Sequence, residues 1–313
     1  MSYLLVGNYG AGNLGDEALR EYFLKRFPDV DWSVVSANPK KGEFARFPLG
    51  IRSFFKPWWR TISELRKSDG VVFGGGSLFT DIESRKACIL WWWHAFIAWI
   101  FRKPIYLAFQ GIGPFKTCIG NKLSRWVVDR AEYISVRDYK SLVRIEHWFK
   151  HTNIIQSFDP VILLIEANNY ELSTNNVLSI IPRDNSNKEF KVKAKEKAET
   201  KKIDYISILT MKADDPEEQK ICKEIRLQCG GEIRTVRSIE ELCREIGKSC
   251  CVISQRYHGA LVAFALGKDL EIVSQAEGDK LSTIRKMIED GDSLENMKEM
   301  AIKGENSLRG ELS

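Results

Sequence analysis

Short apolar runs that stop at glycine or at a cation, each followed by a stretch of helical character, recur along this sequence and confine it to one class of fold. Ser2-Tyr-Leu-Leu-Val6 runs into Gly7-Asn-Tyr-Gly-Ala-Gly-Asn-Leu-Gly15, Gly70-Val-Val-Phe73 into Gly74-Gly-Gly-Ser77, and Ile105–Phe109 into Gln110-Gly-Ile-Gly-Pro114. Tyr133–Val136 meets Arg137-Asp138, Val177–Ile181 meets Pro182-Arg183, and Ser249–Ile253 meets Ser254-Gln-Arg-Tyr-His-Gly259. Strands that are apolar at every position, rather than at every second one, are covered on both faces. That calls for parallel sheets with helices on either side.

At ~150 residues per domain, a chain of 313 residues holds two such units. The polar stretch Asn168–Asn176 is the expected linker, which gives an N-terminal Rossmann-like domain over 1–167 and a C-terminal one over 168–313 with a polar helical tail. A composition of 44% hydrophobic and 28% charged residues is that of a globular protein and excludes a disordered or fibrous one. The net charge of +5 is too small to point to nucleic acid by itself.

Seven scattered cysteines show no Cys-x-x-Cys and no Cys/His cluster with metal-ligand spacing, and no secretory signal precedes the first strand. The expectation is a reduced, cytoplasmic protein with neither a structural disulfide nor a metal. Cys250-Cys251, in an apolar run, reads as packed core. The most apolar stretch, Cys88–Phe101, contains His94 and ends at Arg102-Lys103-Pro104. It falls short of the ~20 apolar residues of a membrane span and reads as a buried or interfacial helix. Residues 44–60 mix Arg46, Arg52, Lys56 and Arg60 with phenylalanine and tryptophan. Two readings carry equal weight: an ordinary loop packing its aromatics, or a surface resting peripherally on the inner face of an anionic membrane.

The first glycine-rich turn lies between a strand and a helix. Glycines let backbone N–H groups approach a ligand, and a helix N-terminus favours an anion. Gly7, Gly10, Gly12 and Gly15 nevertheless lack the Gly-x-Gly-x-x-Gly spacing and the Lys-Ser/Thr ending of a P-loop, so a tight turn explains them as well. Gly10, Asn13 and Asp16 are its candidate contacts. Three successive glycines at 74–76 sacrifice conformational entropy, which favours backbone lining a cleft at the carboxyl ends of strands. Gly75 and Gly76 are candidates there, with Gln110 on a second glycine-lined wall.

Arg137, Arg183, Arg256 and Lys280 all follow strands. Singly, each reads as a surface cation, and Arg137-Asp138 as a surface pair of little energetic weight. Together they suggest a small, highly charged anion as ligand. His258, two residues after Arg256, adds a group that clamps and handles a proton beside it.

In order and spacing these motifs resemble the polysaccharide pyruvyl transferase family: Gly7-Asn with Asn13-Leu-Gly-Asp-Glu-Ala18, Gly74-Gly-Gly-Ser-Leu-Phe-Thr-Asp81, Gln110-Gly-Ile-Gly-Pro114, Ser135-Val-Arg-Asp138 with Ser141, Asp159-Pro160, and Ser254-x-Arg256-x-His258. The resemblance implies an α/β, GT-B-like fold of two Rossmann-like domains with parallel sheets facing across a cleft. It also implies transfer of an enolpyruvyl-derived group from phosphoenolpyruvate to a sugar of a cell-surface polysaccharide or its lipid-linked precursor. The products are a pyruvate ketal and phosphate, and no cofactor is needed. Under it Arg137 and Arg256 bind the donor's phosphate or carboxylate, His258 is the general acid, and Arg183 and Lys280 match further family cations. The base is to be sought among Asp81, Asp16 and Asp159. Two other readings stay open: a GT-B glycosyltransferase using a nucleotide sugar, and a non-catalytic glycan-binding member.

Overall fold

The structure, a computed structural model, describes the chain apart from residues 51–53, 151–152, 171–175, 201, 213 and 275–279, and apart from the side chains of residues 168, 200 and 280. The expected alternation of strands and helices is present, in two compact units. One comprises residues 1–11, 19–161 and 298–313, the other residues 12–18 and 162–297.

The first unit is built on a parallel sheet of β1 (Ser2–Val6), β2 (Asp31–Ser36), β3 (Phe44–Ala45), β4 (Gly70–Phe79), β5 (Ile105–Ile112), β6 (Tyr133–Val136) and β7 (Ile155–Gln156), in the order β3-β2-β1-β4-β5-β6-β7. Its helices are α1 (Leu14–Arg26, from Leu19 onward), α2 (Trp58–Lys67), α3 (Arg85–Ile100), α4 (Cys118–Val128) and α5 (Tyr139–Trp148). From β3 on, every crossover steps the same way along the sheet, so right-handed connections place α2 to α5 on one face. The step from β1 to β2 goes the other way and places α1 on the opposite face. Leu4, Val6, Phe73, Leu107 and Val136 form the core beneath α2 to α5. Each of the three helices after β4 starts on a residue that fits its cap. Ser84 accepts the Ala87 N–H, Thr117 that of Gly120, and Asp138 that of Ser141.

β4 and β5 do not end where the apolar runs end. β4 continues through the glycine triplet to Phe79 and β5 to Ile112, with register shifts between Gly76 and Phe79 and between Leu107 and Gln110. Gly75 and Gly76 have φ of +80° and +87°, and Phe109 has +53°, so the ladder is locally irregular. Side chains satisfy the backbone groups it releases. Gln110 Nε2 donates to Phe73 O at 2.8 Å, Tyr9 OH to Gly74 O at 2.8 Å, and the Phe109 N–H to Ser135 Oγ at 2.8 Å.

His94 fastens the start of the 44–60 segment to α3. It is 1% exposed, with Nδ1 2.8 Å from Leu90 O and Nε2 accepting the Phe47 N–H at 3.1 Å. The ring is therefore the neutral Nδ1–H tautomer. Burial pushes its pKa down to about 4; the Leu90 carbonyl opposes this and the Arg46 charge reinforces it. The unfolded chain, with histidine near 6.5, binds the extra proton first. Stability should thus fall by about 3 kcal/mol as pH drops from there through the folded-state value. Urea titrations across that interval should show the slope, and His94→Gln, which keeps an acceptor for Phe47, should flatten it.

The second unit carries a parallel sheet of β8 (Val177–Ile181), β9 (Tyr205–Thr210), β10 (Glu232–Thr235), β11 (Cys251–Ser254) and β12 (Asp269–Ile272), in the order β10-β9-β8-β11-β12. Helices α6 (Lys188–Thr200), α7 (Pro216–Cys229), α8 (Ile239–Gly247), α9 (Tyr257–Ala265) and α10 (Lys280–Glu289) belong to it. Leu178, Ile180, Ile208, Cys251 and Ile253 form its core.

The units divide the chain differently from the expected 1–167 and 168–313. The change falls at 161/162, the expected linker is partly a 3-10 turn (Ala167–Asn169), and its residues 171–175 lie outside the described residues. The final helix, α11 (Leu294–Glu311), joins the first unit from Lys298 on. Glu305, 4% exposed, accepts hydrogen bonds from Tyr22 OH at 2.9 Å and from Arg26 Nε and Nη2 at 3.0 and 2.9 Å. Tyr133 OH donates to Gly304 O at 3.1 Å and Ser157 Oγ to Met300 O at 3.1 Å. A charged helix that looks like a solvated tail is thereby a packed part of the N-terminal unit.

Candidate functional site

In the second unit the chain runs from β8 outward to β9 and β10, then returns to β11 on the other side of β8. Such a reversal opens a crevice at the carboxyl ends of the strands. The three central strands each deliver a cation two residues past their last: Lys212 after Thr210 of β9, Arg183 after Ile181 of β8, and Arg256 after Ser254 of β11. Asp184 reports how closely they gather. Burial raises its carboxyl pKa, but the hydrogen bond and charge of Lys212, then the charges of Arg256 and Arg183, outweigh that and hold it below its ordinary value. Lys212 Nζ is 2.5 Å from Asp184 Oδ2.

Arg256 is 7% exposed and held from behind. Its Nε donates to Pro182 O at 3.2 Å, and its guanidinium pairs with the fully buried carboxylate of Glu218. Glu218 Oε1 accepts from Thr210 Oγ1 at 2.9 Å and from the N–H groups of Met211 and Lys212 at 2.8 and 3.0 Å. One carboxylate in the first turn of α7 therefore fixes both Arg256 and the turn bearing Lys212. Ser254 Oγ accepts the Arg256 N–H at 3.1 Å, and a side chain at Gly259 would stand 2.8 Å from that oxygen and 2.9 Å from Ile181 Cδ1. Only glycine lets α9 start this close to β8 and β11. Gln255 Oε1 accepts from Ser186 Oγ at 2.6 Å, which in turn accepts the Arg183 N–H at 2.9 Å, so the arginine of β8 is set from β11.

The glycine-rich turn enters the same unit. Residues 12–18 cluster with it, and the Leu14 N–H donates to Met211 O at 3.2 Å. A methyl group at Gly15 would collide with the His258 imidazole, so His258 packs against the first turn of α1. Asn13 caps that turn: its carbonyl accepts the N–H groups of Asp16 and Glu17 at 3.1 and 3.2 Å, and its Nδ2 donates to Asp16 Oδ2 at 2.8 Å. The positive end of a helix dipole thus lies beside the histidine that follows Arg256.

In the first unit the sequence-derived candidates are held by structural partners. Arg137, 5% exposed, donates from Nη1 to Asp159 Oδ2 at 2.6 Å and from Nη2 to Ser77 Oγ at 3.0 Å. Its partner is therefore Asp159 and not the adjacent Asp138, which caps α5. Asp81 accepts the N–H groups of Lys116 at 2.6 Å and Thr117 at 2.9 Å, and also the Thr117 hydroxyl. Burial raises its pKa, but these hydrogen bonds more than reverse that and leave it below the ordinary carboxyl value, which suits a buttress of the α4 start better than a base. The glycine triplet, expected to line a cleft, is packed: a Cβ at Gly74 would collide with Tyr9 OH, and one at Gly75 would stand 2.8 Å from Leu19 Cδ2. Gly76 is likewise buried, and Gln110 spends its amide on Phe73 O. Gly10, at φ +71°, faces Ser36 where any side chain would clash.

Arg137 and Arg256 belong to different units. Lys280 begins α10, and its side chain lies outside the described residues. Lys212, Asp184 and Glu218 were missed by sequence reasoning. Lys212 obeys the strand-end rule that found its neighbours; Glu218 gives no local signal, because its partner is on another strand. Among the described residues no group of three or more His, Cys, Asp or Glu side chains gathers as a metal site.

A family model described as polysaccharide pyruvyl transferase matches residues 13–269. Among solved structures, the chain is similar to Anabaena Alr3699/HepE in complex with UDP-glucose, with a TM-score of 0.58 and 12% identity over 100% of this chain and 98% of that one. It is similar to UDP-N-acetylglucosamine 2-epimerase from Rickettsia bellii (TM-score 0.57, 12% identity, 99% and 95% covered) and to a putative enzyme of that name from Listeria monocytogenes (0.56, 11%, 96% and 90%). At these identities the likeness is one of fold, and that fold is GT-B-like. No curated protein matches the sequence.

Proposed function

Because the chain belongs to the polysaccharide pyruvyl transferase family, we propose that it moves the enolpyruvyl-derived group of phosphoenolpyruvate onto a sugar of a polysaccharide or its lipid-linked precursor. The observation that carries this reading is the set of cations at the ends of β9, β8 and β11, with His258 against the start of α1. Phosphoenolpyruvate is small and carries up to ~3 negative charges, so fixed cations around one pocket bind it strongly.

Arg256 and Arg183, with Lys212, hold the phosphate and carboxylate. His258 gives a proton to C3, which becomes the methyl group, and C2 takes on oxocarbenium character. One sugar hydroxyl adds to C2, a second displaces the phosphate, and both lose their protons. Of the three carboxylates weighed as base, Asp159 is locked to Arg137 and Asp81 to the α4 start. Asp16, next to the glycine on which His258 rests, takes that role in this reading. Arg137 serves the framework.

Thermal melts with phosphoenolpyruvate and with a panel of nucleotide sugars test the donor. Stabilisation by phosphoenolpyruvate is expected. Stabilisation by a nucleotide sugar alone would replace this reading with that of a sugar-transferring GT-B enzyme.

A further inference from the structure

The outer face of α3 and α4 is aromatic, where a helix covering a sheet ordinarily turns polar residues to water. Trp92, Trp93, Phe96 and Trp99 of α3 and Trp126 of α4 form one connected layer of rings. Centroids are 5.1 Å apart for Trp92–Phe96, 5.8 Å for Phe96–Trp126 and 5.7 Å for Trp99–Trp126. Trp99 is 48% and the adjoining Ile100 53% exposed. Further along the same face of the sheet, Phe54, Phe55 and Trp59 at the start of α2 are 59%, 80% and 58% exposed. Within residues 44–60, Phe47 packs as an ordinary loop residue would, buried against His94, whereas Phe54, Phe55 and Trp59 are exposed, and residues 51–53 lie outside the described residues.

The charges around this layer are mostly positive. Between residues 85 and 103 the only ionised side chains are Arg85, Lys86, Arg102 and Lys103, and α4 itself carries Lys122 and Arg125 without a carboxylate. The Arg130 guanidinium stands 4.3 Å over Trp126 and 5.8 Å over Trp99, at the rim of the rings, and pairs with Asp129 at 2.9 Å. Lys122, Arg125 and Arg130, with Asp129 among them, border a hollow of about 260 Å³ floored by Trp126 and Phe149. Tryptophan favours the water–lipid boundary, and a cationic rim complements lipid phosphates. Among the described residues no helix is long and apolar enough to cross a membrane, so a bilayer touching α3 would be met at its surface.

We propose that the α2–α4 face of the first unit docks on the surface of an anionic phospholipid bilayer, with the α3 rings at the interface and the surrounding lysines and arginines on lipid phosphates. The full chain is sedimented with vesicles of phosphatidylglycerol and phosphatidylcholine at about 3:7 and with phosphatidylcholine alone; partition onto the anionic vesicles should be at least about tenfold higher and should weaken with salt. Trp99→Glu with Ile100→Glu, both at exposed positions, should lower binding about tenfold, and Lys122→Glu with Arg125→Glu should abolish the preference for anionic lipid. Unchanged melting and an unchanged thermal response to phosphoenolpyruvate show that these variants are folded and separate this proposal from the donor assignment. Equal binding to both vesicle types, or wild-type binding by Trp99→Glu with Ile100→Glu, overturns it. So does a concentration-dependent dimer that this variant dissolves while the wild type ignores vesicles, since the face would then belong to a second copy of the chain.

Discussion

Replacing His258 by alanine is expected to lower turnover by about 10²–10⁴-fold while the affinity for phosphoenolpyruvate changes only a few-fold, the pattern of a lost general acid. The separation follows from the division of labour in the second unit. In the proposed reaction, charge on the donor is met by Arg256, Arg183 and Lys212 from three neighbouring strands, and those groups are fixed by Glu218, Ser254 and Ser186. The imidazole is placed instead by Gly15. Gly15→Ala should therefore reproduce most of the loss in kcat with His258 still present, because the methyl group occupies the space of the ring. Steady-state phosphate release read against donor concentration separates kcat from KM in both variants. Unchanged turnover in His258→Ala would remove it from the mechanism.

The second large effect is on stability. Asp159→Ala should cost the first unit about 3–5 kcal/mol, because it strands a buried guanidinium. The Arg137 and Asp159 side chains are 4% and 0% exposed at 2.6 Å, with Ser77 and the Val161 N–H as further partners. The pair ties the irregular stretch of β4 to the end of β6 and to the segment after β7, and Gly111 leaves room for the side chains to pass. Replacing both charges together, as Arg137→Met with Asp159→Leu, should recover a large part of the loss. Urea midpoints for the two single variants and the double variant measure the coupling. If Arg137→Met instead costs under about 1 kcal/mol and abolishes donor binding, the arginine is a ligand, as its strand-end position suggested.

The alternation of fully apolar strands with helices was enough to fix the class of fold, since side-chain pattern and layer architecture are bound by the same burial. Strand-end cations were legible for the same reason: topology puts the carboxyl ends of β8, β9 and β11 side by side, and Arg183 and Arg256 can be found there by counting from the strand. Glycines were harder, because a glycine reads alike whether it approaches a ligand or a neighbouring ring. Gly74 turned out to make way for Tyr9, and Gly15 for His258. Carboxylates were hardest of all. Asp159 is 22 residues from Arg137, and Glu305 is 279 from Arg26; nothing near either acid in the chain announces its partner. For Asp81, the hydrogen bonds from Lys116 and Thr117 that bear on its use as a base are supplied only by folding.

If the cations closing β8, β9 and β11 hold phosphoenolpyruvate for transfer to a sugar, the protein should release inorganic phosphate from it, which can be measured over a panel of glycan acceptors. Release in step with ketal formation, dependent on an acceptor and lost in Arg256→Met, is the expected result. An inert phosphoenolpyruvate, alongside nucleotide released from a nucleotide sugar by the same protein, would contradict it.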